Sequence, residues 1–165
     1  MYQIDDYVMC GESGVCKVVE IGTPPIGGVD KNRKYYFLKP IKGKTNVIYS
    51  PVDIEKKSLR YVTAKQEAER ILDEIGNLEV FWEDSDNARK EVYKKSLGDY
   101  DCRNWMKTIK SVRHKKTELG QRGKKLHSVD QIYQTKLETL LFEELSFAMD
   151  MPKDELIKVV EEKID

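Results

Sequence analysis

Short runs of β-branched and aromatic residues, separated by turn residues, fill the first part of the chain. These runs lie at residues 7–10, 15–21, 35–38, 46–50 and 59–62. Glycine and proline follow most of them, and the segment 22–28 is rich in both, which is typical of a loop. Four or five short strands at this spacing predict a small antiparallel β barrel or sandwich.

The period of the hydrophobic pattern changes to that of helices after residue 62. Capping-box patterns at Thr63–Gln66 and Ser128–Gln131 predict that Thr63 and Ser128 are N-caps. The predicted helices run from Thr63 to Gly76, from Ser85 to Leu97 before Gly98, from about Asp101 to Gly120, from Ser128 to about Ala148, and from Met151-Pro152 to the end. The pattern therefore predicts an α+β protein of two domains, with residues 1–62 forming the β domain and residues 63–165 an all-α helical bundle.

Charge is unevenly distributed along a chain whose formal net charge is zero. Residues 101–127 hold nine Lys or Arg against two acids, whereas residues 128–165 hold four Lys and ten Asp or Glu. A basic block beside an acidic tail suggests one surface that faces a polyanion. The alternative is a solvated helix face on which the charges happen to cluster.

The residues that usually carry catalysis or bind cofactors do not form a recognisable pattern. Gly43-Lys44-Thr45 resembles the end of a phosphate-binding loop, but Leu38 stands where that motif needs glycine. Three cysteines and two histidines show no zinc-ligand spacing, and the odd cysteine count favours reduced thiols. We therefore expect no catalytic residues, no metal, no cofactor and no enzymatic activity.

The chain also lacks the patterns of membrane and secreted proteins. No apolar run approaches the ~20 residues that span a bilayer. The first residues are acidic and lack the basic and apolar regions of a signal peptide. We therefore expect a cytoplasmic protein with no membrane partner.

The predicted third helix combines cations with a tryptophan. Lys107, Lys110 and Arg113 are three residues apart, so they share one helix face, and Trp105 lies near the start of the helix. Phosphates attract such cations irrespective of base sequence. A large ring beside them is able to insert at a base step, most easily where a duplex is already opening.

The alternative reading of Trp105 is that it is a core residue. Ile109 and Val112 continue its stripe at helical spacing, and from spacing alone the core reading is favoured. Trp82, which follows Phe81 and precedes several acids, has the same ambiguity.

Segments along the whole chain, in order, resemble the CarD/CdnL family of bacterial transcription regulators. These segments are Asp5–Val8, Gly14–Ile21, Tyr35–Leu38, Val47–Asp53, Leu59–Glu69, Arg103–Trp105 and Leu137–Ala148. The first half is also similar to the polymerase-interacting module of transcription-repair coupling factor. One departure is Tyr49, which stands where many relatives carry a basic residue.

The resemblance implies a fold and a division of labour. It implies that residues 1–62 form a small antiparallel Tudor/SH3-like β barrel, which docks on the RNA polymerase β subunit with a sheet edge. The predicted docking residues are Val47, Ile48, Tyr49, Ser50 and Pro51. The helical domain would contact promoter DNA at the upstream edge of the bubble, largely without regard to sequence, and modulate the stability of the open complex.

The resemblance also assigns residues to that DNA contact. It matches Trp105 to the family's wedge tryptophan and thereby favours the wedge over the core reading. The predicted DNA-binding residues are Arg103, Trp105, Lys107, Lys110, Arg113, Lys116, Arg122, Lys124 and Lys125. We expect a monomer that is nucleoid-associated through polymerase. The alternative is a protein–protein adaptor with a Tudor-like module and no DNA contact.

Overall fold

A computed structural model describes residues 1–43 and 46–164 of the chain. The chain divides into two compact units, Met1–Val62 and Thr63–Asp165. The division falls where the hydrophobic pattern changes from the period of strands to that of helices. Lys44 and Thr45, from the segment that resembles a phosphate-binding loop, lie outside the described residues.

The first unit is a five-stranded antiparallel sheet. Its strands are β1 (Tyr7–Cys10), β2 (Val15–Gly22), β3 (Tyr35–Pro40), β4 (Ile48–Pro51) and β5 (Leu59–Tyr61). Their order across the sheet is β4-β3-β2-β1-β5. All five predicted runs form strands, because β-branched and aromatic side chains suit a half-buried pleated surface.

One face of this sheet carries the core of the first unit. Val8, Cys16, Val18, Tyr36, Leu38 and Leu59 are buried together. These core residues occupy alternate positions within β2 and β3, and a bulge in β2 between Val18 and Glu20 shifts the register against β3. Cys10 and Cys16, on neighbouring strands, form no disulfide, and neither does Cys102 in the second unit.

The predicted closed barrel is wrong, because the sheet is open. Closure of a barrel requires its two outermost strands to pair. Here β5 pairs with β1 and β4 pairs with β3, so among the described residues β4 and β5 are the two edges. The Tudor-like character of the unit stays a prediction.

The second unit consists of five α-helices. They are α1 (Lys65–Glu74), α2 (Asp86–Asp99), α3 (Cys102–Gln121), α4 (Ser128–Met149) and α5 (Lys153–Ile164). The long helix α4 packs against each of the other four. Its buried Leu137, Leu141 and Leu145 lie among the core residues of the unit. The α+β class is thereby confirmed.

Several helix ends differ from the predictions. Thr63 is not the N-cap of α1: Ala64 holds that position, and the Thr63 backbone N–H donates to the buried carboxylate of Glu144 (3.0 Å). The helix α2 continues through Gly98 and ends before Tyr100, which adopts a left-handed φ of 54°. Ser128 is the first residue of α4 rather than its cap. Capping patterns in sequence therefore located these helices to within a residue or two.

Candidate nucleic-acid interface and polymerase-docking edge

Trp105 lies in the core of the helical unit. Its side chain has no solvent exposure, and its indole Nε1–H donates to the Ser96 carbonyl at 2.9 Å. The ring packs edge-on against Tyr100, with centroids 5.0 Å apart. The ring therefore belongs to the buried stripe that Ile109 and Val112 continue, as the core reading expects, and this position does not support the predicted wedge role.

Arg103, a predicted phosphate contact, links α3 to α1. Its Nε donates to Glu74 Oε2 at 2.9 Å, and its Nη1 contacts Glu67. The hydrogen bond from Arg103 lowers the pKa of the Glu74 carboxyl below its usual value. Two acids of α1 therefore neutralise Arg103 in the folded unit, although 41% of its side chain is exposed, and its assignment to DNA stays a prediction.

Lys110 caps the end of the segment that follows α1. Its ammonium donates to the carbonyl oxygens of Ile75, Gly76 and Leu78 at 2.9, 3.1 and 2.8 Å. Carbonyls at a helix end lack intrahelical partners, and a lysine is able to satisfy them. The Lys110 ammonium thus makes three hydrogen bonds within the unit, and these bonds do not support its phosphate-binding role, which stays a prediction.

Arg113 is also committed to the interior of the helical unit. Its Nε donates to Glu138 of α4 at 2.7 Å, and its Nη1 lies 3.7 Å from Glu161 of α5. Only 20% of its side chain is exposed. Acids of the segment 128–165 therefore neutralise a cation of the basic block, and the DNA contact predicted for Arg113 stays a prediction.

The remaining predicted cations lie on the surface. Lys116, Lys124 and Lys125 are exposed, and no ion pair holds them among residues 1–43 and 46–164. They line a groove of about 520 Å³ between α3 and α4, together with Leu126 and Gln134. We call this the lysine groove. Its role in binding DNA stays a prediction.

Two further cations predicted to bind DNA have partners of modest strength. Arg122 lies 3.3 Å from Glu118, one turn earlier in α3, and most of its side chain is exposed. Lys107 lies 5.9 Å from the centre of the Phe81 ring. Exposed pairs of this kind contribute only ~0–1 kcal/mol, so both cations remain able to change partners.

The second tryptophan, Trp82, is partly exposed. It lies in the irregular segment before α2 and packs at the margin of a cluster formed by Tyr93, Val112 and Leu126. The Arg89 guanidinium carbon lies 4.4 Å from the ring centroid, and the Lys115 ammonium 5.5 Å. Phe81, Trp82, Lys107 and Lys115 together form what we call the aromatic–lysine patch.

The sequence held a usable signal for Trp82. No apolar residue follows Trp82 at positions 85 or 86, so it lies outside a helical stripe, unlike Trp105. A large ring outside a periodic stripe is more often at the surface. The patch also adjoins the lysine groove, because Leu126 packs in the Trp82 cluster and lines the groove.

Behind Trp82 lies a buried ionic network around Arg89. Its Nε and Nη2 donate to the two oxygens of Asp130 at 2.7 and 3.0 Å, and Asp86 contacts the same guanidinium. Tyr93 donates its hydroxyl to Asp130 at 2.5 Å. These hydrogen bonds to Asp130 raise the pKa of Arg89, whereas burial chiefly raises that of Tyr93.

Asp86, Asp130 and His127 come close enough together to suggest a cation site. Ligand atoms of the three lie within 4.8 Å of one another. Arg89, however, already bonds both carboxylates, and His127 Nδ1 lies 2.8 Å from Asp86. A metal ion would have to displace the guanidinium, so we interpret the cluster as an ion-pair network.

The predicted polymerase-docking residues lie on or beside the edge strand β4. Val52 donates its N–H to the Lys34 carbonyl at 3.0 Å, directly after β4. Because backbone groups of alternate residues point to opposite sides of a strand, Ser50 and Ile48 turn toward β3 and Tyr49 turns outward. The outward N–H and C=O of Tyr49 are therefore available to an added strand.

The side chains of β4 support this edge from within. Ile48 packs against the core, Ser50 is buried, and the Tyr49 ring lies edge-on to Phe37 at 4.9 Å. Val47 lies just before the strand, and Pro51, at its end, has no N–H to donate. The other edge, β5, is partly covered, because Arg60 donates to the Tyr61 carbonyl at 3.1 Å.

Comparison with known families identifies the first unit. Residues 2–63 match the model of the CarD-like/TRCF RID domain, which covers all five strands and ends one residue beyond the first unit. The match confirms the predicted resemblance for this unit, and CarD-like/TRCF RID domains in general interact with RNA polymerase.

Comparison with the curated proteins finds no match. Within the described residues, no helix combines the length and the apolar character that a membrane crossing requires.

Proposed function

We propose that the protein is a transcription regulator without catalytic activity. Its RID domain docks on the β subunit of RNA polymerase, and its helical unit contacts promoter DNA at the upstream edge of the bubble. The contact modulates the stability of the open complex. The observation that carries the proposal is the RID domain, followed in the same chain by a unit with a partly exposed tryptophan among lysines. We further propose that it acts as a cytoplasmic monomer, nucleoid-associated through polymerase.

Docking is proposed to occur by addition of a polymerase strand to β4. Strand addition uses main-chain hydrogen bonds for affinity and alternate side chains for specificity. The outward backbone of Tyr49 supplies the hydrogen bonds, and Ile48 and Ser50 anchor the strand from the opposite side. This mode needs no basic side chain at position 49, which accounts for the tyrosine there.

The DNA contact is proposed for the aromatic–lysine patch, with Trp82 in the role that was predicted for Trp105. The Trp82 ring is partly exposed at the margin of its cluster, and Lys115 beside it, 23% exposed, pairs with Glu118 at 3.3 Å within the same helix. Such a surface ion pair is weak and is able to exchange for a phosphate. The adjoining lysine groove extends the cationic surface along the DNA backbone.

A ring that packs on an opened duplex but not on a closed one shifts the equilibrium between the two states. A differential affinity of ~1.4 kcal/mol changes that equilibrium tenfold. Weak intrinsic DNA affinity is sufficient, because docking on polymerase raises the effective concentration of the helical unit at the promoter.

The test truncates Trp82 and compares the variant with a surface control. We expect Trp82→Ala to keep the fold and β-subunit binding, and to shorten the lifetime of the open complex on a promoter by several-fold. Lys136→Ala, an exposed change on α4, is the matched surface control and is expected to leave the lifetime unchanged. An unchanged lifetime with Trp82→Ala, in a protein that still binds polymerase, would sink the DNA assignment.

The adaptor function remains the second candidate for a specific reason. Arg103, Lys110 and Arg113 are satisfied within the unit, so the cationic surface is smaller than the sequence predicts. Binding of forked promoter DNA to polymerase, with and without the protein, separates the two functions. Glutamine at Lys116, Lys124 and Lys125 weakens that binding if DNA is the partner, whereas an adaptor is unaffected.

A further inference from the structure

We infer that Arg89 is a positioning residue for DNA contact: held by Asp130, it fixes the Trp82 indole in its partly exposed place. The inference rests on the proposed function of the aromatic–lysine patch and adds to it a residue that touches no DNA. Arg89 is 4% exposed. No sequence pattern singled Arg89 out, since it lies on a largely polar helix.

Arg89 holds the Trp82 segment at two places. Its guanidinium carbon lies 4.4 Å from the indole centroid, a stacking distance at which a desolvated cation and a ring attract each other. Its Nη1 donates to the carbonyl oxygens of Glu83 and Asp84 at 2.9 and 3.1 Å. The segment has no regular secondary structure there, so these bonds define the path of its backbone.

Arg89 is itself held rigidly from the other side. Asp130, 1% exposed, accepts from Nε and Nη2 in the two-pronged geometry of an arginine–carboxylate pair. Tyr93 donates to the same carboxylate. At the exposed end, Asp86 contacts Arg89 and also lies 2.8 Å from His127. The network thus connects the first turns of α2 and α4 to the Trp82 segment.

Stability alone does not account for this arrangement. A buried ion pair is often no more stabilising than apolar residues of the same volume. A guanidinium, however, offers donors in one plane with fixed directions, and here each edge has a different task. One edge grips Asp130, another holds two backbone carbonyls, and the flat face supports the indole. Lysine has neither the plane nor the number of donors.

The experiment uses the full chain labelled with 5-fluorotryptophan, which gives one fluorine resonance for each tryptophan. Trp82→Phe assigns the two resonances. We expect Arg89→Lys to shift the Trp82 resonance and increase its solvent isotope shift, because the ring loses its support. The Trp105 resonance is expected to stay in place, which reports an intact core. Arg70→Lys, the same change at an exposed arginine of α1, is expected to move neither resonance.

DNA binding supplies the second readout. Affinity for forked promoter DNA, measured in the complex with polymerase, is expected to fall with Arg89→Lys by a factor approaching that of Trp82→Ala. In the Trp82→Ala background, Arg89→Lys should have little further effect, because effects through a shared partner are not additive. An additional loss equal to that in the wild-type background would contradict positioning through Trp82.

Each outcome has a distinct meaning. An unmoved Trp82 resonance in folded Arg89→Lys overturns the inference. If Arg89→Lys displaces the Trp105 resonance as well, Asp130→Asn decides, since it preserves the size of the acceptor and must shift Trp82 alone. If the Trp82 resonance responds but Trp82→Ala binds forked DNA as the wild type does, the proposed function fails while the positioning of Trp82 stands.

Discussion

Truncation of Trp105 is expected to unfold the helical unit rather than to remove a DNA contact. Trp105 is fully buried, and its indole N–H satisfies the Ser96 carbonyl. Replacement of a buried tryptophan by alanine costs ~3–5 kcal/mol through lost burial and the cavity that remains. An unpaired Ser96 carbonyl adds ~1–3 kcal/mol.

These costs are large compared with the stability of a typical domain, which is ~5–15 kcal/mol. Trp105→Ala should therefore leave the helical unit marginal or unfolded at room temperature. Trp105→Phe retains much of the ring volume and its edge contact with Tyr100, so it should lose less than the alanine variant. Trp82→Ala, at a partly exposed ring, should lose about 1 kcal/mol or less.

Urea titration followed by far-ultraviolet circular dichroism measures these differences, because the helical unit dominates that signal. The expected order of unfolding midpoints is wild type, Trp82→Ala, Trp105→Phe, then Trp105→Ala. If Trp105→Ala unfolds within about 1 kcal/mol of the wild type while the open complex loses its lifetime, the core reading is refuted.

Three other perturbations test separate parts of the structure. Tyr49→Pro removes the outward N–H of β4 without breaking the hydrogen bonds between β4 and β3. We therefore expect β-subunit binding, measured by interferometry, to fall tenfold or more, whereas Tyr49→Phe should bind normally. Equal binding by the proline variant would exclude strand addition. Glutamine at Lys116, Lys124 and Lys125 should reduce the slope of log affinity against log salt by about two to three if all three contact phosphates; an unchanged slope excludes the lysine groove. The pKa values of Glu74 and Asp86 are lowered in the folded state by bonds to Arg103 and to His127 and Arg89. Their contribution to stability is present above the unfolded pKa of about 4 and is lost as pH falls through the folded values. Urea midpoints should therefore drop in that acidic range, less so in Arg103→Gln, and a midpoint independent of pH there would contradict the pairing.

The strands and helices were predictable because their signals are local. Alternation and the i, i+4, i+7 stripes depend on neighbours in sequence, and each run that carried them forms the expected element. Closure of the barrel was not predictable in this way, because it depends on whether β4 and β5 meet. The hydrophobic pattern along the chain does not indicate whether the two edge strands of a sheet pair with each other.

The site was harder to predict for a related reason. The helical stripe favoured the core reading of Trp105 and the family resemblance favoured the wedge reading, so the three-dimensional surroundings were needed to place the ring. The acids that neutralise Arg103 and Arg113 lie on other helices, at Glu67, Glu74 and Glu138. Long-range ion pairs of this kind are invisible to counts of charge along a chain. The RID domain was identified because its match depends on ordered segments rather than on single side chains.

Arg103, Lys110 and Arg113 bond to groups of their own helical unit, so fewer cations are left to hold DNA phosphates. Three cations turned inward leave a free molecule with little hold on duplex DNA at cellular salt, where each lost phosphate contact weakens binding steeply. Under the proposed function, such a molecule would reach promoters with polymerase rather than by sliding along DNA, and its distribution over the genome should follow that of the enzyme.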